Sequence, residues 1–237
     1  MSSSAAVGVI TGAIFDCDGT LVDSMPMWNA IVEDAFDAYG IEKDPALLAE
    51  AEAFNFDDMC FWFHERFGIG ESGEAVLAGI RAEVQGHYMN DIALFDGCRE
   101  FLDELRAAGV RMLILSATTE PEVWVALRAQ GIDGYFERIC GSNNLHGASK
   151  VVRARAFLAE LRSRDAEAKF VMIGDAVHDK EVSDAIGIPC VLCAVGSHAA
   201  WRLRAVAPTG DTLVDALKLA LNAPAKPSFT SERGVLV

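Results

Sequence analysis

The sequence predicts an α/β protein, a doubly wound parallel sheet covered by helices on both faces, with a helical unit inserted after the first strand. Three observations carry this. The β-branched apolar run VGVITGAIF, residues 7–15, stops abruptly at DCDGT, as a buried strand does on entering a loop. After residue 97, strand-like and helix-like periods alternate in units of the length a parallel sheet requires. Between the two lies a stretch from Ser24 to about Asp91 with four helical periods and no strand signal, the pattern of a separate helical unit.

Within that stretch the helices are read at WNAIVEDAFDAYG, DPALLAEAEAF, DDMCFWFHERFG and SGEAVLAGIRAEVQGHYM. Domain boundaries follow: residues 1–22 and 93–237 form the α/β core and residues 23–92 a helical cap. In the core, CREFLDELRAAG is an amphipathic helix ending on Gly109, VRMLIL a buried strand, and EPEVWVALRAQG a helix closed by Gly131. RIC near residue 139 is a short strand, KVVRARAFLAELRS a helix, KFVMIG a strand, DKEVSDAIG a helix and PCVLCAV a further strand. The tail from Ala223 reads as a loose terminus.

The bulk numbers exclude several classes. With 51% hydrophobic and 23% charged residues over 237 positions, the chain has the means to bury a large core and is not globally disordered. A net charge of -15 repels nucleic acid and anionic membranes, so neither is an expected partner. No apolar run reaches the roughly eighteen residues of a membrane span, and the N-terminus lacks a basic leader start, so a cytoplasmic location is expected. The six cysteines are scattered; the one close pair, Cys190 and Cys193, sits in an apolar strand without a second pair or a histidine at metal spacing, and reads as buried reduced thiols. Nothing in the pattern specifies an oligomer.

Ligands of open α/β sheets bind beyond the carboxyl ends of the strands. Asp16 and Asp18 follow the first strand, Ser116 follows VRMLIL, Lys150 precedes the helix after the short strand near residue 139, and Asp175 and Asp179 follow KFVMIG. Several carboxylates converging in one cleft call for a divalent cation, and all-oxygen donors favour magnesium over zinc. Such a set suits phosphoryl transfer. Asp16 is a competent covalent nucleophile, and Asp18, two residues on, can serve as general acid and then general base. Ser116 would hold the transferring oxygens and Lys150 would supply fixed positive charge, and its place at a helix start, which the dipole disfavours, supports a functional role. Thr118 and Thr119 are expected to cap the helix beginning near Glu120, and His178 to serve packing or helix-start hydrogen bonds. Phe54, Phe56, Phe61, Trp62 and Phe63 are expected to be mostly cap core.

Together DCDGTLVDS, Ser116 after a strand, Lys150 and GDAVHD resemble the haloacid dehalogenase superfamily. The closer likeness is to its β-phosphoglucomutase and phosphoglycolate phosphatase-like branch, in which a helical cap follows the first motif. The resemblance covers residues 8–222 and implies a Rossmannoid fold and a Mg2+-dependent phosphoric monoester hydrolase working through an aspartyl-phosphate. It implies Asp16 as nucleophile, Asp18 as acid/base, Ser116 and Lys150 as phosphate contacts, and Asp16, the carbonyl of Asp18 and Asp175 as magnesium ligands. Asp179 becomes an outer or alternative ligand. Where the family often has Gly-Lys-Pro, this chain has Ser149-Lys150-Val151. Asn55 and Phe56 fall where the cap of such relatives reaches over the substrate.

Asp18 argues against phosphonate cleavage, because phosphonate-cleaving relatives typically carry Ala there and use a cap lysine; here Lys43 is the only lysine between Leu21 and Asp96. A phosphomutase or a phosphoglycolate phosphatase would need cap cations for a second anionic group, whereas between Glu42 and Phe63 the cap has Lys43 among six carboxylates. The expected substrate is therefore a small phosphorylated metabolite, such as a sugar or polyol phosphate. Outside the enzymes, a receiver-like domain or a silent phosphate-binding protein shares the acidic pocket, but receivers are about half this length and lack the insertion.

Overall fold

The computed structural model describes residues 10–52, 54, 56–142 and 149–222. Strands β1 (Gly12–Phe15), β2 (Arg111–Thr119), β3 (Arg138–Ser142), β4 (Phe170–Gly174), β5 (Cys190–Cys193) and β6 (Thr209–Gly210) form one parallel sheet in the order β3-β2-β1-β4-β5-β6. This is the doubly wound order, with its switch point at β1, where the direction of winding reverses and a crevice opens beyond the strand ends.

Alternation along the strands divides the core. Ala13 and Phe15 of β1 join Met112, Ile114, Val171 and Ile173 on one face, while Ile14 joins Leu113, Leu115, Phe170 and Met172 on the other. Both faces are apolar because helices cover both. Helices α5 (Cys98–Ala107), α6 (Glu120–Ala129) and α10 (Leu213–Leu221) lie on the first face, and α7 (Lys150–Arg164), α8 (Val177–Ile186) and α9 (Ala200–Arg204) on the second. The short pieces α9 and β6, and α10 after them, extend the sequence reading, which ended its elements at PCVLCAV.

Helices α1 (Met25–Ala38), α2 (Pro45–Glu52), α3 (Phe56–Phe67) and α4 (Gly73–Asn90) occupy the insertion. Phe36, Trp62, Phe63 and Phe67 form its aromatic centre, with ring centroids 5.2 to 6.3 Å apart. Phe63 and Trp62 are buried as expected, but Phe54 is 39% exposed and Phe56 turns toward the crevice. The chain enters and leaves the insertion side by side: Asp23 N–H donates to Ala93 O at 2.9 Å, and Phe95 N–H to Leu21 O at 3.1 Å. The insertion is thus tied to the core just beyond β1. Among the described residues, no helix is long and apolar enough to cross a membrane.

Candidate active site

Most of the residues singled out in the sequence meet in one cavity of about 580 Å³ beyond the carboxyl ends of β1, β2 and β4, while Asp179 does not line it and is fully buried. Asp16, Asp18, Ser116, Lys150, Asp175 and Phe56 all line it. Asn55 lies outside the described residues.

Lys150 is the centre of the charge arrangement. It is the first residue of α7, whose N-cap Ser149 accepts from Val152 N–H at 3.4 Å. A cation there opposes the helix dipole, and two carboxylates offset this: Nζ donates to Asp16 Oδ2 and to Asp179 Oδ1, each at 2.8 Å. Burial disfavours the Lys150 charge, but Asp16 and Asp179 outweigh it and hold the ammonium well above its ordinary range. Asp179, at the third position of α8, also accepts backbone N–H bonds from Asp175 and Ala176 at Oδ2, at 3.2 and 3.1 Å. Both of its oxygens are therefore occupied in fixing Lys150 and the loop after β4.

Asp175 is pinned by Thr20 Oγ1 at 2.9 Å and by Ser197 N–H at 2.5 Å. The loops holding it are packed without slack. A Cβ at Gly196 would overlap the Gly19 carbonyl oxygen and the Asp175 carboxylate, and Gly19 itself has φ +74°.

Carboxylate oxygens of Asp16, Asp175 and Asp179 come within 4.8 Å of one another. Burial, reinforced by Asp179 and Asp175, pushes the Asp16 carboxyl up to about 8 against the pull of Lys150, and burial also raises Asp175. Two buried carboxylates and the half-buried Asp16 gathered around one ammonium leave a negative excess, and their hard oxygen donors fit a divalent cation such as magnesium.

Asp18 faces the insertion. Its Oδ1 accepts from Ser24 Oγ at 2.6 Å, Tyr88 Oη at 2.5 Å and Trp28 Nε1 at 3.3 Å, and its Oδ2 from Thr118 Oγ1 at 2.7 Å. Burial and the Asp18 charge keep the Tyr88 phenol well above its ordinary range, so it is a lasting donor. The expected cap role of Thr118 is corrected here. β2 runs to Thr119, with a register shift after Leu115, and this irregularity turns the Thr118 hydroxyl toward Asp18 instead of the helix. Ser116 Oγ accepts from Thr118 N–H at 3.0 Å within the same kink.

Thr119 does cap α6, in a capping box with Glu122. The Thr119 hydroxyl donates to Glu122 Oε2, while Glu122 Oε1 accepts from Arg81 Nη1 of α4 at 2.7 Å. The other arm of Arg81 donates to Asp57 Oδ1 at 2.6 Å. The string TEPE announced the cap; nothing local announced the partner across the crevice. His178 is 55% exposed on its side chain and bonds Glu181 at 3.1 Å, a helix-start contact as expected.

A family model described as haloacid dehalogenase-like hydrolase matches residues 13–193. The chain belongs to this family. It is 34% identical over 187 residues to the tyrosine-protein kinase PtkA of Mycobacterium tuberculosis, covering 77% of this chain and 62% of the relative, so it spans less than two thirds of that protein. It is 31% identical over 202 residues to a 5'-nucleotidase of Pseudomonas aeruginosa, covering 83% and 88%. Among solved structures, a haloacid dehalogenase-like hydrolase of Streptococcus pneumoniae superposes with a TM-score of 0.64 at 20% identity, covering 88% and 97%, and shares the fold. The family generally uses magnesium, and the acidic cluster of Asp16, Asp175 and Asp179 lies where the sequence motifs converge.

Proposed function

We propose that this protein is a magnesium-dependent phosphatase that hydrolyses a small organic phosphomonoester through an aspartyl-phosphate on Asp16. The observation that carries the reading is the convergence of Asp16, Lys150 and Asp175 in one buried cleft with Ser116 beside them. Asp16, Asp175 and the carbonyl of Asp18 would hold the cation, with Asp179 bracing Lys150 behind them. When bound, the cation neutralises charge on the phosphoryl oxygens and on the carboxylates around them.

The chain's own groups divide the remaining work. A carboxylate oxygen of Asp16 bonds to phosphorus as the ester P–O bond breaks, and Asp18 gives its proton to the leaving oxygen. Water then attacks the acyl phosphate, Asp18 takes the proton, and inorganic phosphate departs with Asp16 regenerated. Ser116 and Lys150 orient the transferring oxygens. The cap, residues 23–92, closes over the leaving group. Two cap cations are already committed: Lys43 pairs with Glu33 and Asp37, and Arg81 with Asp57 and Glu122. This supports water over a phosphosugar hydroxyl as acceptor, and a leaving group with little extra negative charge. The net charge of -15 and six unpaired thiols support a cytoplasmic setting and a small phosphorylated metabolite as partner, without nucleic acid or membrane.

The test is hydrolysis of a generic aryl phosphate with and without magnesium, for the wild type and Asp16→Asn. Loss of turnover on chelation and on substitution is expected; activity that survives both overturns the reading. A second reading, phosphoryl transfer to an acceptor hydroxyl, is favoured by the 34% identity to a tyrosine-protein kinase. Labelling of a tyrosine peptide from ATP, dependent on Asp16, would select it.

A further inference from the structure

The end of the cavity that carries Lys150 and Asp175 is charged, but the wall beyond Asp18 is aromatic. Trp28 bonds Asp18 through Nε1, and its ring meets that of Phe56 at 5.4 Å between centroids with the planes at 87°. Met25 completes this half-buried wall, and all three residues line the cavity. Over the Phe56 ring stands the Arg81 guanidinium, 5.5 Å from its centroid, with both arms taken by Asp57 and Glu122.

Resting on the phosphatase reading, in which Asp18 protonates the leaving oxygen, we propose that the wall of Trp28, Phe56 and Met25 is a subsite for an uncharged aromatic leaving group, making the substrate an aryl or arylmethyl phosphomonoester. A leaving oxygen within hydrogen-bond reach of Asp18 is next to the indole that bonds the same carboxylate. The group attached to that oxygen is therefore laid against Trp28 and Phe56. Two rings set nearly at right angles form a corner that offers a planar guest an edge from one ring and a face from the other, both favoured aromatic geometries.

Sugar or polyol hydroxyls placed there would give up water for indole, phenyl and thioether carbons, an uncompensated loss. A second anionic group fares worse. Among the described residues the cation over the wall is Arg81, whose single charge already faces two carboxylates, so a distal carboxylate or phosphate would have to displace a half-buried ion pair. The corner therefore selects against charge as well as for rings.

The test uses calorimetric binding, in the presence of magnesium, of three phosphonates that share the phosphoryl anchor: benzylphosphonate, ethylphosphonate and 2-carboxyethylphosphonate. Benzylphosphonate is expected to bind about tenfold tighter than ethylphosphonate, equivalent to about 1.4 kcal/mol, and 2-carboxyethylphosphonate no tighter than ethylphosphonate. In Phe56→Ala the benzyl preference should fall to about twofold or less. Phe56→Leu, which keeps the packing volume, should lose most of it too, and Phe56→Tyr should keep it. Equal affinities for the benzyl and ethyl compounds in the wild type, a preference untouched in both Phe56→Ala and Phe56→Leu, or tightest binding of the carboxyethyl compound would each overturn the proposal. Binding needs no turnover. A protein that shows the benzyl preference yet fails to hydrolyse phenyl phosphate overturns the phosphatase reading and leaves the aromatic subsite standing.

Discussion

The hydroxyl of Tyr88 donates to Oδ1 of Asp18 at 2.5 Å, joining the last helix of the insertion to the loop after the first strand. Because Tyr88 is 1% exposed, water cannot replace it as donor. Tyr88→Phe should leave Asp18 with three donors and a looser carboxylate, lowering kcat by about tenfold with KM changed by about twofold or less. Steady-state kinetics check this, and a change confined to KM would refute it.

Lys150 neutralises two carboxylates at once. Lys150→Met removes that charge and leaves Asp16 and Asp179 facing each other in the core of the site, at a cost of about 3–5 kcal/mol. Thermal melts at pH 5 and pH 8 should show the larger loss at pH 8, where the unfolded chain has released its carboxyl protons and the folded variant must either hold a proton on Asp16 or bear its charge unpaired. A loss equal at both pH values would mean that packing, not charge, is what Lys150 supplies.

The raised Asp16 carboxyl gives metal-free stability a definite sign. The folded state keeps a proton that the unfolded chain releases near pH 4 and the folded chain near pH 8. This contribution is therefore present below about pH 4 and lost as pH rises toward 8. A divalent cation binds the deprotonated form, so magnesium should raise the melting temperature more at pH 8 than at pH 5.5. Melts with EDTA and with magnesium at the two pH values measure it; a larger shift at pH 5.5 contradicts the reading.

Arg81 bridges Asp57 on α3 and Glu122 on α6, with their side chains 12% and 4% exposed and its own 19%. Arg81→Met should cost about 2 kcal/mol, below the figure for a fully buried pair because Arg81 keeps some water, and lower the melting temperature by about 4–8 °C. Limited proteolysis should show the insertion cut sooner than in the wild type. An unchanged digestion pattern would count against this bridge as a fastening.

Gly196→Ala places a Cβ against the Gly19 carbonyl and the Asp175 carboxylate. The neighbouring backbone has to shift, costing about 1–3 kcal/mol. Magnesium affinity, read by calorimetry, should fall more than in an alanine substitution at the unobstructed Gly79.

Much of this was legible in the sequence because the strands β1, β2 and β4 are buried runs that give way to polar residues, and the fold gathers those ends. Asp16, Ser116 and Asp175 follow from that logic alone, whereas Lys150 stood out by its place at the start of a helix. What escaped is contact between residues far apart in the chain: Tyr88 and Thr118 reach Asp18 across 70 and 100 positions. Thr118 was misread because a register shift in β2 leaves no mark in its composition. The two-residue β6 and five-residue α9 carry too few side chains to set up a period.

Glu122 closes the first turn of α6 and also receives the insertion's arginine. One carboxylate thus belongs to two modules at once, and a chimaera built by transplanting a relative's helical insertion inherits an obligation at this position. Unless the graft brings a guanidinium to meet it, Glu122 is left enclosed without its partner across the crevice, and swapping substrate preference by exchanging whole insertions requires α6 to be exchanged with them.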